Sequence, residues 1–351
     1  MVIRTVVIAL ALAILQSPPL TDPVPQDATK GILAAFGKYE VVGIHAAHGG
    51  KDLDDYILSL LQAPEFPTKV NDIVVECGNS RYQPVLDRYI AGEDVSVQEM
   101  QHVWRDTTEL MCSLSGFYER LFPLVRSINK QLAPHKRLRV LAADPPLDWA
   151  TVTSGRDVPA EGRDVTITAV MKDEVLAKHR KALMLFGLMH LLHGLPTDPA
   201  DDERPMRATA VSLYEHTYPG VTFVIIPHRG FGTYSHLEAE NAALEGRLKG
   251  WPTPSLVPLT NNWIGNLGAA YFFQVPNNWR NRPVNTLADA YLYLGPLDSL
   301  KHEPTPPDIL ADQDYMNELQ RRKAIGGTTF NGFSLAEIRQ ADADPHFYRR
   351  Q

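Results

Sequence analysis

Along this chain, one apolar run after another leads into a residue suited to catalysis or metal binding. Val41-Val42-Gly43-Ile44 leads to His45 and His48, and Ile73-Val74-Val75 leads to Glu76. Leu138-Arg139-Val140-Leu141-Ala142-Ala143 ends at Asp144. Ala182-Leu183-Met184-Leu185-Phe186 runs toward His190 and His193, and Val221-Thr222-Phe223-Val224-Ile225-Ile226 passes through Pro227 to His228. Short apolar runs bounded by glycine, proline and polar residues read as buried strands. Between them, positions such as Leu53, Tyr56, Ile57, Leu60 and Leu61 repeat with helical spacing. Strands alternating with helices predict an α/β fold, a mainly parallel sheet flanked by helices on both faces. The C-terminal ends of parallel strands share one edge, where open α/β sheets bind ligands. Separate pieces of chain would then place His, Glu and Asp in one crevice.

The expected strands cover residues 39–44, 72–76, 138–143, 182–188, 221–227, 255–259 and 289–295. Residues 96–132 read as a helical insertion between strands two and three, with Trp104, Phe117, Tyr118, Leu121, Leu124, Val125 and Ile128 as core positions. Further helices are expected near 165–180, 205–217, 236–248 and 304–325, and the Asn-rich stretch 261–283 as a lid or substrate loop. This divides the chain into an α/β domain over 30–300 and a C-terminal helical extension over 301–351.

The N-terminus is of a different character. Arg4 precedes the apolar run Thr5 to Leu15, of the length of a signal-peptide core and too short to cross a bilayer as a helix. Residues 1–17 therefore read as a signal peptide, and 18–29, with Pro18, Pro19, Pro23 and Pro25, as a linker. Export, periplasmic or extracellular, follows from that reading, with no transmembrane span in the mature protein; an uncleaved N-terminal anchor is the competing one. A net charge of −7 argues against nucleic acid as a partner. Cys77 and Cys112 are the two cysteines. In an exported protein they could pair, although two cysteines do not make a disulfide scaffold; Cys77, next to Glu76, reads as a small buried thiol, with a catalytic thiol as the alternative.

Each candidate has a plain structural alternative. The stretch Gly43-Ile44-His45-Ala46-Ala47-His48-Gly49-Gly50 lies between a strand and a helix, where glycines allow close approach to a ligand and neutral His serves as base or metal ligand; otherwise it is a turn with solvated His. Glu76 either lines the site or forms a structural ion pair, with Arg81 as its partner. Asp144, before two prolines, either orients a His or caps a turn. His190 and His193 are spaced to share one helical face. His228 either meets an anionic substrate group or sits in a solvated loop.

Taken together, these residues resemble the erythromycin-esterase-like and ChaN-like (Tiki/TraB) superfamily. That superfamily shows a Gly-Glu…His-Gly segment after its first strand, a Glu after the second and a His after a later one. The resemblance spans roughly residues 39–295 and matches His48 to the loop His, Glu76 to the second-strand acid and His190 to the later His, with His193 as competitor. Ile44 stands where the superfamily usually carries Glu. The resemblance implies a parallel α/β sheet with helical insertions, and activities that include ester hydrolysis, metal-dependent proteolysis and haem binding. The resulting expectation is an exported hydrolase acting on an ester or amide of a small molecule or peptide. His48 would be the general base, Glu76 would orient it, and His190 or His193 would meet the substrate carbonyl. A variant places a divalent metal such as zinc on His45, His48, Glu76 and His190. The alternative is a non-catalytic protein that binds haem or another ligand through His.

Overall fold

The computed structural model describes residues 20–46, 49–159, 162–193, 208–228, 238–272, 280–326 and 335–344. The expected signal peptide, His48 and part of the expected lid lie outside the described residues. Eight strands form one sheet: β1 (Gln26–Asp27), β2 (Val41–His45), β3 (Asp72–Asn79), β4 (Arg139–Asp144), β5 (Ala182–Phe186), β6 (Thr222–Pro227), β7 (Ser255–Pro258) and β8 (Ala290–Tyr293). Their order is β1-β7-β8-β6-β2-β5-β3-β4. The stretch from β8 to β4 is parallel throughout, and β7 and β1 add an antiparallel edge. The fold is thus the α/β sheet with helices around it that the apolar runs predict. The short β1 falls inside the stretch read as a linker, where it pairs with β7.

Alternation within each strand explains why the runs are apolar throughout. Val42, Ile44, Ile73, Val75, Val140, Ala142, Leu183 and Leu185 pack under helices Ala28–Ala35, Lys51–Gln62, Gln83–Ala91, Val97–Arg105 and Gly116–Lys130. The intervening residues, among them Val41, Val74, Leu141, Ala143, Met184 and Phe186, face helices Arg163–Val170, Leu188–Leu191, Ala210–Glu215 and Glu238–Leu248. Both faces are covered, so neither face of a central strand has room for a polar side chain until the strand ends. The last three of the helices on the first face, with a 3-10 turn at Leu110–Leu114, form the insertion between β3 and β4. The helix expected over 165–180 spans Arg163–Val170 and then changes pitch, to a wide turn at Met171–Val175 and a tight one at Leu176–Lys178.

Register brings the polar strand ends level. His45 lies opposite Phe186, and Val75 lies opposite Leu185, which puts Glu76 beside Phe186 on the other side of β5. Beyond Val75 the β3–β4 ladder slips: Val75 faces Ala142, but Asn79 faces Asp144. The bulge rests on Gly78, where a Cβ would come within 2.7 Å of the Ala142 Cα. Asn79 anchors its far side through bonds from its amide to the Asp106 and Leu147 carbonyls, both 2.7 Å. Bulges of this kind re-aim side chains at strand ends.

Cys77 is not a free thiol. It forms a disulfide with Cys112, with Cα atoms 5.4 Å apart and 35 positions between them in sequence. The bond ties the bulge of β3 to the 3-10 turn of the insertion. Closing a loop of that length is worth about 4 kcal/mol in the chain-entropy account. The double variant Cys77→Ser/Cys112→Ser is therefore expected to lose up to about 4 kcal/mol in denaturant unfolding. Identical unfolding curves with and without reductant would contradict the bond.

Candidate active site

Glu76, Asp144 and His190 meet at the C-terminal edge, and the residue that joins them is Arg163. Glu76 leaves β3 at the bulge, and Asp144 ends the neighbouring β4. Arg163 opens the helix Arg163–Val170 and reaches back over both strand ends. Its Nη2 donates to Glu76 Oε1 at 2.7 Å and its Nε to Asp144 Oδ1 at 3.0 Å, and Glu109 lies 3.8 Å from its Nη1. Asp144 also accepts from the Thr108 backbone N–H at 2.6 Å and the Thr108 hydroxyl at 2.7 Å. The second oxygen of Glu76 accepts from the Gly187 N–H. A Cβ at Gly187 would sit 3.2 Å from that oxygen. Glycine there lets the backbone approach the carboxylate.

Gly187 begins the short helix Leu188–Leu191, which follows β5 and carries His190. Its neighbour across the sheet is Gly43 of β2, where a Cβ would meet Leu191 at 3.0 Å. The missing side chain lets this helix lie close on the sheet. His190 is held from both sides. Nδ1 is 2.8 Å from Asp164 Oδ1, and Nε2 is 3.4 Å from Glu76 Oε1. Asp164 is itself fixed by the Ala210 N–H at 2.8 Å. Burial alone would disfavour the imidazolium, but Glu76 and Asp164 outweigh it and raise the His190 pKa to about 9. His190 is therefore charged at neutral pH. Burial likewise opposes the Arg163 charge, and Glu76, Asp144 and Glu109 more than offset it.

The other residues singled out from the sequence fall elsewhere. Arg81 does not pair with Glu76; it bonds Asp148 at 3.0 Å on the surface. His45 is buried on the same sheet face as Glu76, its Nδ1 3.4 Å from the Phe186 carbonyl. The helix carrying His190 ends at Leu191, and Leu192 is extended, with ψ 135°. His193 therefore does not share a helical face with His190. It bridges Glu215 at 3.1 Å and Asp289 at 2.7 Å, and Asp289 in turn accepts from the Val224 N–H of β6. Burial is again overcome by the two carboxylates, which raise the His193 pKa to about 9. His228 is buried rather than solvated, between Glu245 and the Tyr291 hydroxyl.

Of the residues expected to hold a metal, His48 lies outside the described residues. No three His, Cys, Asp or Glu side chains among them are grouped to hold a metal ion. Both ring nitrogens of His190, His193 and His228 face protein partners, which leaves none of the three aimed at a haem iron.

Arg163, Asp164, Thr108 and Glu109 were not singled out from the sequence. Arg163 and Asp164 stand in a first helical turn, where Asp164 is favourable for the helix dipole on its own account. Nothing local distinguishes them from a solvated helix start.

The protonation of His190 and His193 carries a sign. Both pKa values are raised above the ordinary 6.5, so their stabilisation is complete below about pH 6.5 and is lost as pH rises through about 9. The melting temperature is expected to fall between pH 7 and pH 10 by on the order of 5 °C. In His190→Gln/His193→Gln that slope should flatten, and an unchanged slope in differential scanning calorimetry would refute the assignment.

No protein-family model matches the chain, and no curated protein sequence does. Among solved structures, the chain is similar to a Bacillus cereus protein solved as a structural-genomics target. The two share 12% identity and a TM-score of 0.48 over 78% of this chain and 94% of that one. It is also similar to the type III effector HopBA1, with 12% identity and a TM-score of 0.40 over 80% of this chain and the whole of that one.

Proposed function

We propose that this protein hydrolyses an ester or amide bond at the C-terminal edge of its sheet. The observation that carries the reading is the charged His190 held between Glu76 and Asp164 at that edge. Strongly shifted titratable groups with specific charge partners gather at functional sites. A fixed imidazolium suits the carbonyl of an ester or amide, because the transition state develops negative charge on oxygen. Orientation comes from Asp164 and Glu76, so no reorganisation is needed as the charge appears.

In this reading His48 takes a proton from water, and the water oxygen attacks the carbonyl carbon. The carbonyl oxygen gains charge in the field of the His190 imidazolium, which acts through its charge because its two nitrogens face Asp164 and Glu76. The acyl–oxygen or acyl–nitrogen bond then breaks, and the proton from water ends on the leaving group. Glu76 keeps His190 protonated and in place, and Arg163 keeps Glu76 from turning away. The buried Cys77–Cys112 disulfide supports the accompanying proposal of an exported protein, since such bonds persist in oxidising compartments. No described helix is long and apolar enough to cross a membrane.

A panel of carboxylic esters and anilides tests the reading. Hydrolysis by the wild-type chain is expected, with kcat/KM lowered by roughly 10²-fold or more in His190→Gln at unchanged fold. A folded wild-type protein with no turnover across the panel, or a fully active His190→Gln, would refute it.

A further inference from the structure

Cys77 directly follows Glu76, inside the bulge of β3. Its disulfide partner, Cys112, lies in the turn Leu110–Leu114, which directly follows Thr108 and Glu109. Those two residues serve the other half of the charged group. Thr108 gives Asp144 its backbone N–H and its hydroxyl, and Glu109 lies 3.8 Å from Arg163 Nη1. Glu109 also caps the turn, its Oε1 accepting the Met111 N–H at 3.3 Å. Arg163 joins Asp144 to Glu76. The disulfide therefore closes a ring. The ring runs from Glu76 to Cys77, across the two sulfurs to Cys112 and back along the chain to Thr108. From there it passes through Asp144 and Arg163 and returns to Glu76.

The segments on either side of the bond are anchored to different parts of the molecule. The register of β3 with both of its neighbours stops at Val75 and resumes, with β4 alone, at Asn79. Asn79 is fixed beyond the bulge by the Asp106 and Leu147 carbonyls. The insertion turn is tied away from β3: Trp149 Nε1 donates to the Thr107 carbonyl at 3.1 Å, and the Tyr315 hydroxyl to the Ser113 carbonyl at 3.3 Å. Between those anchors, residues 76–78 lie outside the ladder, and the bond at Cys77 fixes their distance from the turn. A charged group is held to a productive geometry only when the backbone that carries it is itself held. Both cysteines are fully buried. Thiol–disulfide exchange needs access to a sulfur, so the state of this bond is set while the chain folds.

We propose that the Cys77–Cys112 bond is a redox switch that assembles the charged site. An oxidised chain holds Glu76, Asp144, Arg163 and His190 together, and a reduced chain folds the same sheet without that group in place. The oxidant is of the disulfide class. Two thiols lose two protons and two electrons, a sulfur–sulfur bond forms, and the donor disulfide becomes two thiols. Cys77 and Cys112 are then positioning residues, which act through Glu76 and touch no substrate. The site stays unassembled wherever the chain is kept reduced, whatever bond it acts upon.

Nuclear magnetic resonance of the folded protein reads the group directly. The Gly187 amide reports Glu76, to which it donates, and the Arg163 guanidinium protons report both carboxylates. The Val224 amide, which donates to Asp289, is the control within the same sheet. In Cys77→Ser/Cys112→Ser, the Gly187 amide is expected to lose the downfield shift of a bond to a carboxylate. The Arg163 Nη signals, separate while the guanidinium is pinned, should merge, and the Val224 amide should keep its position. Unchanged Gly187 and Arg163 signals would overturn the proposal. So would a Val224 shift as large as that of Gly187, which would make the bond a general support of the sheet. Wild type refolded with oxidised glutathione, and separately under a thiol reductant, repeats the comparison without a substitution. If neither the variant nor the reduced wild type forms the sheet, the bond serves the whole fold and the proposal falls.

Discussion

Two carboxylates at the ends of adjacent strands, both nearly inaccessible to water, repel each other and are costly to bury. Glu76 and Asp144 are in that position, with 3% and 1% of their surface exposed. Arg163 makes the pair tolerable by donating to both through different nitrogens. The bulge that turns Glu76 out of β3, the short helix that offers Gly187 to it and the loop that offers Thr108 to Asp144 all place donors around this pair. Removing one partner from a buried group of this kind leaves uncompensated charge, commonly worth about 3–5 kcal/mol. The guanidinium is therefore a structural tie between β3 and β4, and it fixes Glu76, whose charge with that of Asp164 holds His190 protonated against the opposing charge of Arg163 itself.

Three histidines on the same side of the sheet show how little the residue type alone decides. His190 and His193 each sit between two carboxylates, and both are held charged. Yet Asp289 is bound by the β6 backbone, and Glu215 accepts from the Thr222 N–H. His193 thus fastens the helix Ala210–Glu215 and the start of β8 to β6. The partners of His190 are Glu76, which is also in the grip of Arg163, and Asp164 from the same helix as Arg163. His228 has a carboxylate on one nitrogen and a phenol on the other, in an aromatic surround with Tyr293 5.2 Å away. One of the three belongs to the charged group at the strand ends, and the other two hold elements together.

The strands were legible because burial on both faces requires unbroken apolar runs, and Glu76 and Asp144 because each stands where a run stops. His190 was legible for the same reason. His193 was misplaced because i,i+3 spacing means a shared face only while the helix continues, and this helix is one turn long. Arg163 and Asp164 could not be read out. Their partners Glu76 and His190 are 87 and 26 positions away in the chain, and pairings of that kind are set by which loops the topology brings back to the edge. The pairing of Cys77 with Cys112 stayed open in the sequence, since the 3-10 turn that presents Cys112 has no apolar period to place it.

The C-terminal residues, which read as an extension, are bound up with the part of the molecule that fixes the site. Ile309, Met316 and Leu319 pack with Leu110, Leu114, Leu147 and Trp149 in one apolar cluster. From the helix Gln313–Gly326, Arg322 donates to the Arg105 carbonyl at 2.7 Å and to Asp106 at 2.8 Å, and Arg321 donates to the Trp149 and Val152 carbonyls. These are the carbonyls of the two connections that flank Thr108 and lead toward Arg163. Loops cannot hold charged groups to within a few tenths of an ångström unless their own backbone is satisfied. The helix supplies that satisfaction from outside the sheet. The geometry of Glu76 and His190 therefore depends on residues more than a hundred positions further along the chain, and the α/β sheet with its insertion is an incomplete description of the folding unit without them.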